Sequence, residues 1–117
     1  YNIITEDRAM ELAKLKEIIA LADKNAIVRE LKALGYEDAS KSRKYRNFSL
    51  TKIVHGEQSE TEWVNGENRL EYSGNIYTNV EDAEQAEFVA ISVNKIDKAK
   101  DMSIPYSLLW FVKEEKA

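Results

Sequence analysis

Three groups of side chains in this sequence are of types that could do chemistry. The first is the single histidine, His55, and the second is a set of three carboxylates, Glu60, Glu62 and Glu71. The third is a basic segment at residues 41–46, which places four cations in six positions. Its candidate binding residues are Lys41, Arg43, Lys44, Tyr45 and Arg46.

The histidine and the carboxylates are not accompanied by the other residues that a catalytic or metal site needs. An imidazole can serve as a general base or a metal ligand near neutral pH. A metal site also requires three or four converging ligands, and a hydrolytic triad requires a nucleophile beside an oriented base. Neither spacing is present around His55, and the four glycines form no phosphate-binding loop. We therefore expect no catalytic residue, no metal, no cofactor and no enzymatic activity.

The basic segment is the sharpest charged feature of the chain. Closely spaced cations can hold phosphate or an acidic partner, and Tyr45 could stack on a base. However, nucleic-acid-binding modules are usually basic as a whole, whereas this chain has a formal net charge of -4. The segment is therefore interpreted as part of a surface that binds another protein rather than a nucleic acid.

Length and composition fit one folded domain over residues 1–117. The chain is 44% hydrophobic and 32% charged, which is typical of a globular protein. The absence of cysteine excludes disulfides, thiolate nucleophiles and cysteine-based metal sites. The longest apolar run has five residues, so no membrane span is expected. Because the sequence begins with Tyr1, we expect a processed periplasmic or secreted protein ahead of a cytoplasmic one.

The first third of the chain has the periodicity of two helices. Thr5 is the expected N-cap of the first, whose apolar stripe includes Leu15 and Ile19. A polar cluster beginning at Asp23 predicts a break and a new cap. Gly35 predicts a Schellman stop that folds the next residue back onto the second helix.

Alternating and continuous apolar runs predict strands in the rest of the chain. The segment from Glu87 to Ile96 carries apolar residues on both faces, as a central strand does. Asn65-Gly66 predicts a hairpin with a type I′ turn, placing Trp63, Leu70 and Tyr72 on the core side. A last strand is predicted from Ile104 to Val112, with Pro105 at its start or on an unpaired edge.

These elements indicate an α+β fold in which the N-terminal helical pair packs on a mainly antiparallel sheet of four to five strands. The helices can cover only one face of the sheet. We expect Trp110 to face the helices, and Leu109 and Phe111 to lie on an uncovered face that binds a partner. That partner is expected to be another protein or a second copy of this chain.

The leading functional hypothesis is therefore a non-catalytic protein-binding module. An inhibitor, an immunity or anti-defence factor and an envelope accessory domain all belong to this class. Two alternatives remain open. One is a small-ligand binder with an aromatic-lined pocket on the curved sheet, and the other is a small enzyme whose site the sequence does not reveal.

Overall fold

A computed structural model describes residues 11–41, 57–78 and 86–114. Within these ranges, two helices pack on one face of an antiparallel sheet, so the predicted α+β class is confirmed. The elements in chain order are α1 (Leu12–Ile19), α2 (Lys24–Ala33), β1 (Glu37–Asp38), β2 (Glu57–Glu60), β3 (Val64–Asn65), β4 (Leu70–Thr78), β5 (Ala86–Asp97) and β6 (Met102–Glu114). Short 3-10 turns lie at Ala39–Lys41 and Glu67–Arg69.

The helical pair is bounded by the residues that the sequence singled out. The Asp23 carboxylate accepts a hydrogen bond from the backbone N–H of Ala26 at 3.0 Å and caps α2. At the other end, Gly35 has φ +97° and Tyr36 donates its backbone N–H to the carbonyl of Leu31 at 3.1 Å. This is the predicted Schellman stop. The predicted cap Thr5 lies outside the described residues.

The sheet is built around β5, as predicted. The strand order is β1-β6-β5-β4-β2, and β3 pairs with β4 beyond the end of β2. Every pairing is antiparallel. Because β5 has a strand on each side, it forms ladders with β4 and with β6 along most of its length. Its residues Val89 and Ile91 face the helices, and Phe88 and Ala90 face the opposite way.

Each face of β5 carries its own core. The helix-side core consists of Leu15, Ile18, Ile19, Ile27, Leu31, Tyr36, Tyr72, Ile76, Val89, Ile91, Val93 and Phe111. The core on the opposite face consists of Ala39, Tyr77, Phe88, Ala90 and Val112, with Trp110 packed beside it. The rings of Tyr77 and Trp110 lie 5.6 Å apart between centroids. Burial, with a contribution from Glu60, raises the pKa of the Tyr77 hydroxyl above its ordinary value.

The expected orientation of the last strand is wrong. Phe111 pairs with Val89 and Leu109 pairs with Ile91, so both lie on the helix side of the sheet. Phe111 is only 2% exposed and belongs to the main core. Trp110 instead lies on the face away from the helices. Alternation along β6 was predicted correctly, but the sequence alone could not tell which of its two apolar faces meets the helices.

The predicted hairpin turn is also displaced. Gly66 has φ -117°, and positive φ angles occur instead at Asn68 and Arg69 within the next turn. Val64 consequently pairs with Tyr72 rather than with Glu67. A Cβ on Gly66 would lie 2.5 Å from the carbonyl oxygen of Ala22, so the glycine permits a close approach between the hairpin and the helical pair.

The shifted register also changes which hairpin residues are buried. Tyr72 is buried and Leu70 is half-buried against the helix-side core, as expected. Trp63, which was expected in the core, is 46% exposed. It lies in the three-residue gap between β2 and β3, where the strand is interrupted. The interruption removes the alternation on which the prediction for Trp63 depended.

Candidate functional site

The structure describes only some of the predicted site residues. Lys41 is exposed at the end of the 3-10 turn that follows β1. The remaining members of the basic segment, Arg43, Lys44, Tyr45 and Arg46, lie outside the described residues, as does His55. Leu109 is half-buried and Phe111 is buried, both on the helix side. The structure therefore does not place these two residues on an uncovered face.

The most distinctive open feature among the described residues is the outer edge of β6. On its inner edge, β6 pairs with β5 from Met102 to Glu114. On its outer edge, it pairs with β1 at only two positions, Phe111 and Val112. No other described strand lies against β6 from Met102 to Trp110. The 3-10 turn at Ala39–Lys41 also contacts β6. Along this stretch the outward-pointing N–H and C=O groups therefore meet no second strand among the described residues. We call this stretch the β6 edge.

The side chains of the β6 edge are apolar and open to solvent. Tyr106 is 61% exposed, Met102 is 51% exposed and Leu108 is 45% exposed. Four of the six large hydrophobic residues found exposed in the described ranges lie here, the fourth being Ile104. Contiguous exposed apolar surface is the usual mark of an interaction site.

The exposed side chains of the β6 edge occupy both faces of the sheet. Ile104 pairs with Lys95, which pairs with Leu70, so these three lie on the helix side. Leu108 pairs with Ser92 and lies on the opposite side with Trp110. A strand added at this edge would find apolar side chains above and below its own backbone, which suits an extended apolar segment.

A bulge interrupts the β6 edge at its middle. Val93 pairs with Ser107 and Asn94 pairs with Pro105, which leaves Tyr106 as an extra residue in β6. Pro105 has no N–H to offer, and its place on this strand agrees with the predicted edge position. Bulges and prolines limit indiscriminate pairing of sheet edges. Both features restrict the pairing of a further strand with the middle of the β6 edge.

Charge is absent along the β6 edge and present at both of its ends. The sequence from Met102 to Val112 contains no Asp, Glu, Lys or Arg. The turn before it carries the exposed Lys98, Lys100 and Asp101. At the far end, β1 consists of two carboxylates, Glu37 and Asp38. An uncharged edge thus lies between a turn of mixed charge and an acidic strand.

The Asp38 carboxylate is held in its charged form. Burial by itself raises its pKa. Hydrogen bonds to Oδ1 from the Ser40 backbone N–H at 2.9 Å and from the Ser40 hydroxyl at 2.6 Å, with Lys41 and Lys32 nearby, outweigh the burial. The pKa of Asp38 therefore lies below its ordinary value.

A separate cleft of about 450 Å³ lies between the loop that joins the helices and the hairpin. It is lined by Leu21, Ala22, Asp23, Asn65, Gly66, Glu67, Asn68, Leu70 and Tyr72. Tyr72 is the one aromatic residue of this lining, and burial raises the pKa of its hydroxyl. The cleft is therefore not the aromatic-lined pocket of the small-ligand hypothesis.

A carboxylate is buried at the other end of the helix-side core. Glu87 on β5 is 1% exposed and accepts a hydrogen bond through Oε2 from the hydroxyl of Tyr36. The ammonium of Lys113, the cross-strand neighbour of Glu87, lies 5.4 Å from the centre of the Tyr36 ring. These contacts join the segment after α2 to the central strand, which is a structural role.

The carboxylates expected on the hairpin are spread rather than convergent. Glu60 and Glu62 are exposed, and Glu71 accepts a hydrogen bond from the Asn94 side chain at 3.4 Å. Within residues 11–41, 57–78 and 86–114, no three His, Asp or Glu residues are arranged to hold a metal ion. In the same ranges, no helix has both the length and the apolar character needed to cross a membrane.

Sequence reasoning missed the open edge of β6, although one signal pointed to it. Eleven consecutive residues without charge are unusual in a chain of which 32% is charged. Comparison with known proteins adds no relative: no protein-family model, no curated protein and no solved structure matches this chain. The functional interpretation therefore depends on the geometry of the described residues.

Proposed function

We propose that this chain is a non-catalytic protein-binding module that accepts an extended segment of another polypeptide at the β6 edge. The observation that supports the proposal is the outer edge of β6 from Met102 to Trp110, which no other described strand pairs with and which has exposed apolar side chains on both faces. Strand addition of this kind gains affinity from main-chain hydrogen bonds and specificity from alternate side chains. An inhibitor, an immunity or anti-defence factor or an accessory domain could act in this way.

The chemistry of the bound segment follows from the β6 edge. Because the edge is uncharged, a charge placed directly against it would lose hydration without gaining an opposite charge. We therefore expect the bound segment to be extended and apolar in its middle. The basic segment remains part of the proposed surface through Lys41, which is exposed just after β1.

Selection from a library of displayed random peptides tests this proposal, with the protein immobilised at low density. We expect enrichment of peptides with an uncharged apolar core. Their binding should be lost in the variant Leu108→Lys, because a lysine on an edge strand blocks further pairing. The matched control is Leu21→Lys, since Leu21 is 48% exposed and Leu108 is 45% exposed, but Leu21 lies in the loop that joins the two helices. Peptides that bind both variants equally would contradict the proposal.

A further inference from the structure

We draw no further inference here: the strongest candidate, the cleft between the loop that joins the two helices and the hairpin, rests on the exposed carboxylates of Asp23 and Glu67, and no second observation in the described part of the chain points to a ligand that it would hold.

Discussion

Gly66 permits a close approach between the hairpin and the loop of the helical pair. A Cβ there would lie 2.5 Å from the Ala22 carbonyl oxygen and 2.8 Å from Cε1 of Tyr72. We predict that Gly66→Ala costs about 1–3 kcal/mol, because backbone atoms must move apart to admit the methyl group. Urea denaturation measures the change. The neighbouring Asn65→Ala, at an exposed position, is the control. An unchanged midpoint for Gly66→Ala would contradict the close approach.

The hydroxyl of Tyr36 is a second single group whose removal should change the stability of the fold. It donates to the buried carboxylate of Glu87, whose side chain has almost no access to water. We predict that Tyr36→Phe lowers the free energy of unfolding by about 1–3 kcal/mol, because a buried carboxylate loses a donor. Tyr106→Phe makes the same chemical change at a residue that is 61% exposed and should be neutral. Equal effects of the two variants in urea denaturation would argue against the buried hydrogen bond.

At the scale of secondary-structure elements, β6 shows which features of a strand can be predicted from its apolar pattern. The alternation of Leu109 and Phe111 against Trp110 was predicted, as was the central position of β5. The assignment of faces was reversed, because both faces of β6 are apolar and the pattern is symmetric in this respect. The hairpin turn was misplaced for a different reason: tertiary contact with Ala22 determines the conformation of Gly66.

The corrected faces of β6 change the expected order of two substitutions. Phe111 lies on the helix side of the sheet and is 2% exposed, whereas Trp110 is half-buried beside Tyr77 on the opposite side. We predict that Phe111→Ala costs about 3–5 kcal/mol as a core truncation, and that Trp110→Ala costs less. Urea denaturation of the two variants provides the comparison. If Trp110→Ala is the more destabilising, the strand has the orientation that the sequence first suggested.

At the scale of the whole molecule, the two cores make stability sensitive to high pH. Burial raises the pKa values of Tyr72 and Tyr77, so the folded state keeps these protons at a pH where the unfolded chain has lost them. The contribution of these two tyrosines to stability should therefore be constant below about pH 10 and fall as the pH rises through the folded-state values. Urea midpoints measured across this range should show a shallower fall for Tyr77→Phe than for the wild type. An identical slope would contradict the burial of Tyr77.

The architecture of the molecule could be predicted from sequence, whereas its candidate site could not. The helical pair could be predicted because its signals depend on residues that are close together in the sequence. These signals are the helical periodicity, the cap at Asp23 and the stop at Gly35. An open strand edge depends on which strands pair, and pairing is a property of the whole sheet. The two-residue length of β1 was not apparent in the sequence, and within the described part of the chain it leaves most of the outer edge of β6 without a paired strand.

Amide hydrogen exchange of the β6 edge tests the central claim most directly. The outward-pointing amides between Met102 and Trp110 should exchange quickly in dilute protein. They should become protected when a selected peptide is added as a further strand. The amides of β2, at the opposite edge of the described sheet, should exchange at the same rate in both states. Protection that appears at β2 or in the helices while the β6 edge stays unprotected would contradict binding by strand addition at β6.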